Sequence, residues 1–185
     1  HVKNRGLYGL VKAASFYLRN SKNIDLVMVG YDSPVLVSFF RLFSRKRVIY
    51  NAVLSSYERV VVSRGLAPRF SVKAIYYWLI DFAAAHFADL IMVESCHQAD
   101  YFKKIFKVSS RKMYRNWVGV DEDKFFYDSV VSKSDVFTVL FRGALMPEAG
   151  VEYIVRAAKL LEDKDIKFII MGGGLLLERT RKFIN

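Results

Sequence analysis

Residues 136–174, VFTVLFRGALMPEAGVEYIVRAAKLLEDKDIKFIIMGGG, decide the fold class of this chain. Residues 136–141 and 166–171 are short runs rich in β-branched and aromatic residues, the pattern of strands buried on both faces of a parallel sheet. Between them Val151, Ile154, Val155, Ala158 and Leu161 recur at helical spacing, with Glu152, Arg156 and Lys159 on the other side. The stretch reads as one βαβ crossover with glycines after both strands. In such a sheet ligands lie outside the carboxyl ends of the strands, where Gly143 and the run Gly172, Gly173, Gly174 fall. Gly143 and Gly150 let the backbone approach a diphosphate at the helix start, or Gly143 simply permits a tight turn; their spacing is not the dinucleotide fingerprint. The triple glycine borders a nucleotide base and ribose, or forms a flexible turn into the next helix.

Working towards the amino terminus, β and α patterns alternate, which argues for a doubly wound parallel sheet. Residues 7–19 carry Leu7, Leu10, Val11, Ala14 and Leu18 at helical spacing, and no strand precedes them. Strands are expected at 24–29, 47–50, 89–94 and 112–115. Ser33 and Pro34 form an N-cap and first-turn pair for a helix to Phe43, and Ser95 with Gln98 forms a capping box for a helix over 96–107. Residues 70–87 read as a long apolar helix, and 55–64, SSYERVVVSR, as a helix despite the valine triplet. Residues 118–135 lack a sustained period and separate the two alternating regions as an interdomain linker.

The 29 Lys and Arg against 18 Asp and Glu leave a net charge of +11, which favours an anionic partner such as nucleotide phosphates or an anionic membrane surface. A solvated basic surface explains the charge without a partner. No nucleic-acid recognition module is present, so no nucleic-acid partner is expected. One cysteine, Cys96, allows no intramolecular disulfide and points to a cytoplasmic location. No apolar run reaches the roughly 20 uncharged residues of a spanning helix, and the first residues lack a signal-peptide cleavage site.

Three segments together resemble the GT-B glycosyltransferases, family 4 (glycosyl transferases group 1). ADLIMVES at 88–95, followed by a helix, is similar to the last regular βα unit of that family's N-terminal domain. RNWVGVDEDKF at 115–125 is similar to its turn of Asn, Gly, Val and Asp ahead of a Phe. The opening segment is similar to its run of strand, Gly, variable loop, Pro and Gly, helix, then a strand ending in glycines. The resemblance covers about residues 24–180.

It implies two Rossmann-like doubly wound domains, both incomplete: an acceptor-side domain over 1–117 lacking its first strand, and the beginning of a nucleotide-sugar-binding domain over 136–185. The implied reaction is sugar transfer, with retention, from a nucleotide-diphosphate sugar to a lipid-linked, saccharide or protein acceptor. No other cofactor and no metal are expected, and the setting would be cytoplasmic, peripheral at the inner face of a membrane. A non-catalytic nucleotide- or partner-binding module of the same fold is the alternative. Where family members carry cations around the two glycines, this chain has Ala144 and Ala149; Arg142 and Lys159 are nearby cations. The family's glutamate pair would fall beyond Asn185, so the 185-residue chain is expected to lack turnover.

Arg142, Gly143, Gly150, Gly172, Gly173 and Gly174 are therefore the donor-side candidates. Asn51, Tyr57 and Glu58, after the second strand, are the acceptor-side candidates, with ordinary polar loop residues as the competing reading. No catalytic residue is assigned. Cys96 and His97 are adjacent on a helix and point in different directions, so they do not make a nucleophile and base; His86 reads as a core or interface histidine. No metal spacing is present. Arg41, Arg45, Lys46 and Arg47, and Lys103, Lys104, Lys107, Arg111, Lys112 and Arg115, are basic clusters suited to anionic lipid headgroups or to solvated helix faces.

Overall fold

The computed structural model describes residues 6–30, 33–130 and 134–184. The side chain of Leu7 and linker residues 131–133 lie outside the described residues. The chain divides into two compact units, residues 1–119 and 120–185. Both are mixed α/β.

The first unit runs α1 (Gly6–Asn20), β1 (Leu26–Val29), α2 (Pro34–Phe43), β2 (Arg47–Asn51), a π-helical turn (Glu58–Ser63), α3 (Val72–Phe87), β3 (Leu90–Val93), α4 (Cys96–Phe106) and β4 (Met113–Arg115). Its four strands are parallel and lie in the order β1-β2-β3-β4, with Val27 opposite Val48, Tyr50 opposite Ile91 and Met92 opposite Tyr114. Because the order follows the chain without reversal, right-handed crossovers put the connecting helices on one face. The core agrees: alternate strand residues Val29, Val48, Tyr50, Ile91 and Val93 pack with Val37 and Phe40 of α2, Ala84 and Ala85 of α3, and Phe102 and Phe106 of α4. The reversal of strand order that makes a sheet doubly wound does not occur within these four strands.

Three local expectations are corrected. In α1 the buried residues include Ala13 and Tyr17, whereas Val11 and Leu18 face solvent. Tyr17 wins the inner position because its ring meets Phe40 edge-on and its hydroxyl bonds Ser44 Oγ at 2.6 Å, so its polar tip is satisfied on burial. Ser33 precedes α2 but makes no side-chain cap bond; Pro34 alone, in the first turn, marks the start. The 55–64 segment is helical in a wider form than expected, a π-helical turn that buries Val60 and Val61 against Ala67 and Ala74.

The second unit contains β5 (Phe137–Arg142), a 3₁₀ turn (Pro147–Ala149), α5 (Val151–Leu160), β6 (Ile166–Met171) and α6 (Leu177–Ile184). β5 and β6 pair in parallel over six residues, from Phe137 opposite Ile166 to Arg142 opposite Met171. Neither strand is buried on both faces, contrary to the sequence expectation. Phe168 and Ile170 face Ile154, Val155 and Ala158 of α5, while Leu140 and Met171 on the other face remain exposed. A two-stranded sheet with helices against one face has no second layer to dry the other.

Candidate functional site

The carboxyl ends of β2 and β3 build the more polar site, in the first unit. The chain leaves β2 at Asn51, and Ala52 continues the ladder by donating to Met92 O at 2.9 Å. β3 runs through Glu94 and Ser95 into α4. Ser95 caps α4 as expected, its Oγ accepting from Gln98 N at 3.1 Å. The reciprocal bond goes one residue further back than a capping box requires: Gln98 Oε1 accepts from Glu94 N at 2.7 Å. Its amide donates to Ala52 O at 2.7 Å and to Val53 O, so Gln98 ties the loop after β2 to the loop after β3.

Between these loops is a cavity of about 400 Å³, whose polar wall is Glu58, Glu94, Ser95, His97, Gln98 and Tyr101. Behind it Asp81, from the middle of α3, is wholly inaccessible to solvent. Its Oδ2 accepts from Tyr57 N at 2.7 Å. Oδ1 of Asp81, Oε2 of Glu58 and Oη of Tyr101 are buried without a hydrogen-bond partner among the described residues. Burial therefore sets the charge state. It pushes the Asp81 carboxyl from 3.8 up to about 6, against the opposing pull of Tyr57 N–H, Ser56 N–H and the Ser55 and Ser56 hydroxyls. Burial also raises the carboxyls of Glu58 and Glu94 and, aided by the charge of Glu58, the phenol of Tyr101. The carboxyls of Glu58 and Glu94, raised by burial at the strand ends, can accept bonds from hydroxyl-rich or cationic ligands. Such a wall repels phosphate.

Of the acceptor-side candidates, Glu58 lines this cavity, Tyr57 acts through its backbone N–H, and Asn51 is held in the β2–β3 ladder. Asp81, Glu94, Gln98 and Tyr101 were not singled out as site residues from sequence. Asp81 had one signal, a carboxylate within the apolar 70–87 run. Cys96 and His97 are both exposed; Cys96 Sγ accepts from Arg115 Nη1 at 2.9 Å, and the Arg115 guanidinium lies 4.3 Å from the Trp117 ring centroid. His86 is on the surface and not in the core, because its own helix supplies its partners: the ring stacks on Phe82 and Nδ1 lies 2.9 Å from Phe82 O.

The donor-side candidates lie in the second unit. Gly143 N donates to Met171 O at 3.0 Å, Leu145 N to Gly173 O at 2.9 Å, and Leu176 N to Leu145 O at 2.9 Å, so the glycine run continues the β5–β6 pairing past both strand ends. A Cβ on Gly172 would stand 1.8 Å from Gly143 O, and one on Gly174 2.7 Å from Leu145 O. At these two positions the backbones approach too closely for a side chain, which explains glycine there without flexibility. Gly173 has open space around it, and Gly143 meets only ordinary contact with the Phe141 ring.

Gly150 has φ +68°, the left-handed conformation that ends the 3₁₀ turn and begins α5. Gly150→Ala is expected to destabilise the second unit by about 1 to 2 kcal/mol, read as a shift of the denaturant midpoint; an unchanged midpoint would contradict the backbone assignment. Arg142 is exposed at the end of β5. The first turn of α5 already carries Glu152, whose Oε1 pairs with Arg179 Nε at 3.0 Å. A carboxylate there complements the helix N-terminus and competes with an incoming phosphate.

Among the described residues no group of three or more His, Cys, Asp and Glu is arranged to hold a metal ion, and no helix is long and apolar enough to cross a membrane. No family model matches the chain, and no curated protein matches it.

Proposed function

We propose that the chain carries the GT-B design of a retaining, nucleotide-sugar-dependent glycosyltransferase, with two Rossmann-like units. In this reading the first unit holds the acceptor and the second the nucleotide-diphosphate sugar. The observation that carries it is the cavity at the carboxyl ends of parallel strands β2 and β3, walled by Glu58, Glu94, Gln98 and Tyr101. Carboxylate, amide and phenol groups match the dense hydroxyls of a saccharide, and strand carboxyl ends are where parallel α/β sheets bind ligands. The β5–α5–β6 unit adds a second parallel crossover, with Arg142 as the cation nearest its glycines in sequence.

A non-catalytic binding module of the same fold is the second reading. Ala144 and Ala149 in place of cations, and Glu152 at the start of α5, favour it. Titration of the full chain with uridine, guanosine and adenosine diphosphates, and separately with simple saccharides, tests both. A ligand at a hundred times its Kd is expected to stabilise the chain by about 2.7 kcal/mol. Glu58→Gln should weaken saccharide binding and leave the nucleotide response intact. Absence of any thermal shift at millimolar ligand would reject a nucleotide or saccharide site under either reading; transfer of labelled sugar would reject the module.

A further inference from the structure

The outer face of α3 has the chemistry of a docking surface. The inner face of this helix buries Ala74, Asp81, Ala84 and Ala85. On the opposite side Val72, Ile75, Tyr76, Leu79 and Phe87 recur at helical spacing and are all exposed, Val72 at 85%. The lead-in extends the patch with Phe70, 96% exposed, and Leu66. A helix apolar all round belongs in a core or against a nonaqueous phase, and a contiguous exposed apolar patch marks an interaction surface. Arg69 and Lys73 stand exposed beside it.

The charge distribution selects the occupant. Residues 1–119 hold 19 Lys and Arg against 7 Asp and Glu, a net +12, whereas residues 120–185 hold 10 against 11, a net −1. The positive charge of the chain thus resides in the unit that bears the apolar helix face. A second copy would set +12 against +12. An anionic bilayer surface complements both features: aliphatic and aromatic side chains enter the acyl boundary while cations meet the headgroups.

We propose that the outer face of α3, with Phe70, Arg69 and Lys73, docks this protein on anionic membrane surfaces, lying in the interface without spanning it. This differs in location from the basic clusters prominent in the sequence. Several of those side chains are engaged within the chain, Arg41 with Asp89 at 3.4 Å, Lys103 with Asp100 at 2.9 Å, and Lys112 donating to His86 O at 2.6 Å, whereas Lys73 makes a long 3.5 Å bond to Leu66 O within the patch itself. The proposal does not rest on glycosyl transfer.

The test is co-sedimentation of the full chain with sealed vesicles of phosphatidylcholine alone or with phosphatidylserine added, at low and high salt. Binding is expected on the anionic vesicles only and should fall as salt screens the headgroup contacts. I75S/L79S, and separately R69E/K73E, should each lower the partition coefficient about tenfold or more, with circular dichroism unchanged. Both pairs are exposed, so at least one is expected to retain the fold. Binding of both variants at the wild-type level, or binding indifferent to phosphatidylserine and salt, would overturn the proposal. So would light scattering that shows a wild-type dimer turned monomeric by I75S/L79S, since a second copy would then cover the face.

Discussion

Gly172→Ala is expected to unfold the second unit selectively, lowering its stability by about 3 to 5 kcal/mol. The cause is steric: the new Cβ would stand 1.8 Å from Gly143 O, and that oxygen belongs to backbone held in the ladder by Gly143 N–H to Met171 O at 3.0 Å. Relief requires the two strand exits to part, which also breaks the Leu145 N–H bond to Gly173 O. Residues 120–185 have little core to absorb that loss, because a unit of about 60 residues buries only about 60% of its unfolded surface. Hydrogen exchange on the full chain should show lost protection across β5 and β6 with α2, α3 and the first sheet unchanged. Gly173→Ala is the matched control, with open space at its Cβ, and should stay within about 0.5 kcal/mol of wild type. Equal protection in the two variants would remove the close-approach account. Loss of nucleotide binding in Gly173→Ala alone would instead give that central glycine a ligand role.

Asp81→Asn is expected to stabilise the chain at pH 7.5 and to do almost nothing near pH 4. The folded carboxyl is raised to about 6 from 3.8, so between those values the folded state holds a proton that the unfolded chain has released. Stability contributed by this group is therefore full below about pH 4, declines as pH rises through about 6, and is level above. The difference between the two pKa values corresponds to about 3 kcal/mol at neutral pH. Glu58 and Glu94 shift in the same direction, so subtracting the variant from wild type isolates Asp81. Urea denaturation at pH 4.5, 6 and 7.5 gives the comparison; a constant offset across the three would show that desolvation of Asp81 does not govern its titration.

Much of the secondary structure was legible. Ile166–Met171 is a strand over the expected residues, and the strands expected at 24–29, 47–50, 89–94 and 112–115 occur within one or two residues of those bounds. Each is a short β-branched or aromatic run between turn residues, a signal carried by neighbours in sequence. The helix α3 was legible for the same reason, but its two apolar faces were not distinguishable: Ala84 and Leu79 are equally apolar to a periodicity argument, and only one packs inward. Exposure of Val11 and burial of Tyr17 show the same limit. The valine triplet at 60–62 was ambiguous locally, and burial of Val60 and Val61 accompanies its wide helical turn.

The candidate site was less legible than the fold. Glu58 was singled out by its position after β2, yet Tyr101 beside it in the cavity wall comes from α4, and Asp81, bonded to Tyr57 N, comes from α3. Alternation of strand and helix by itself determined that this protein is α/β with parallel strands, since each apolar run and each amphipathic period is a local property. The roles of Gly172 and Asp81 were decided only in the tertiary structure. A steric approach and a desolvated charge are both properties of what stands opposite a residue, and here Gly143 and Tyr57 are brought there by pairing and packing between segments far apart in the chain.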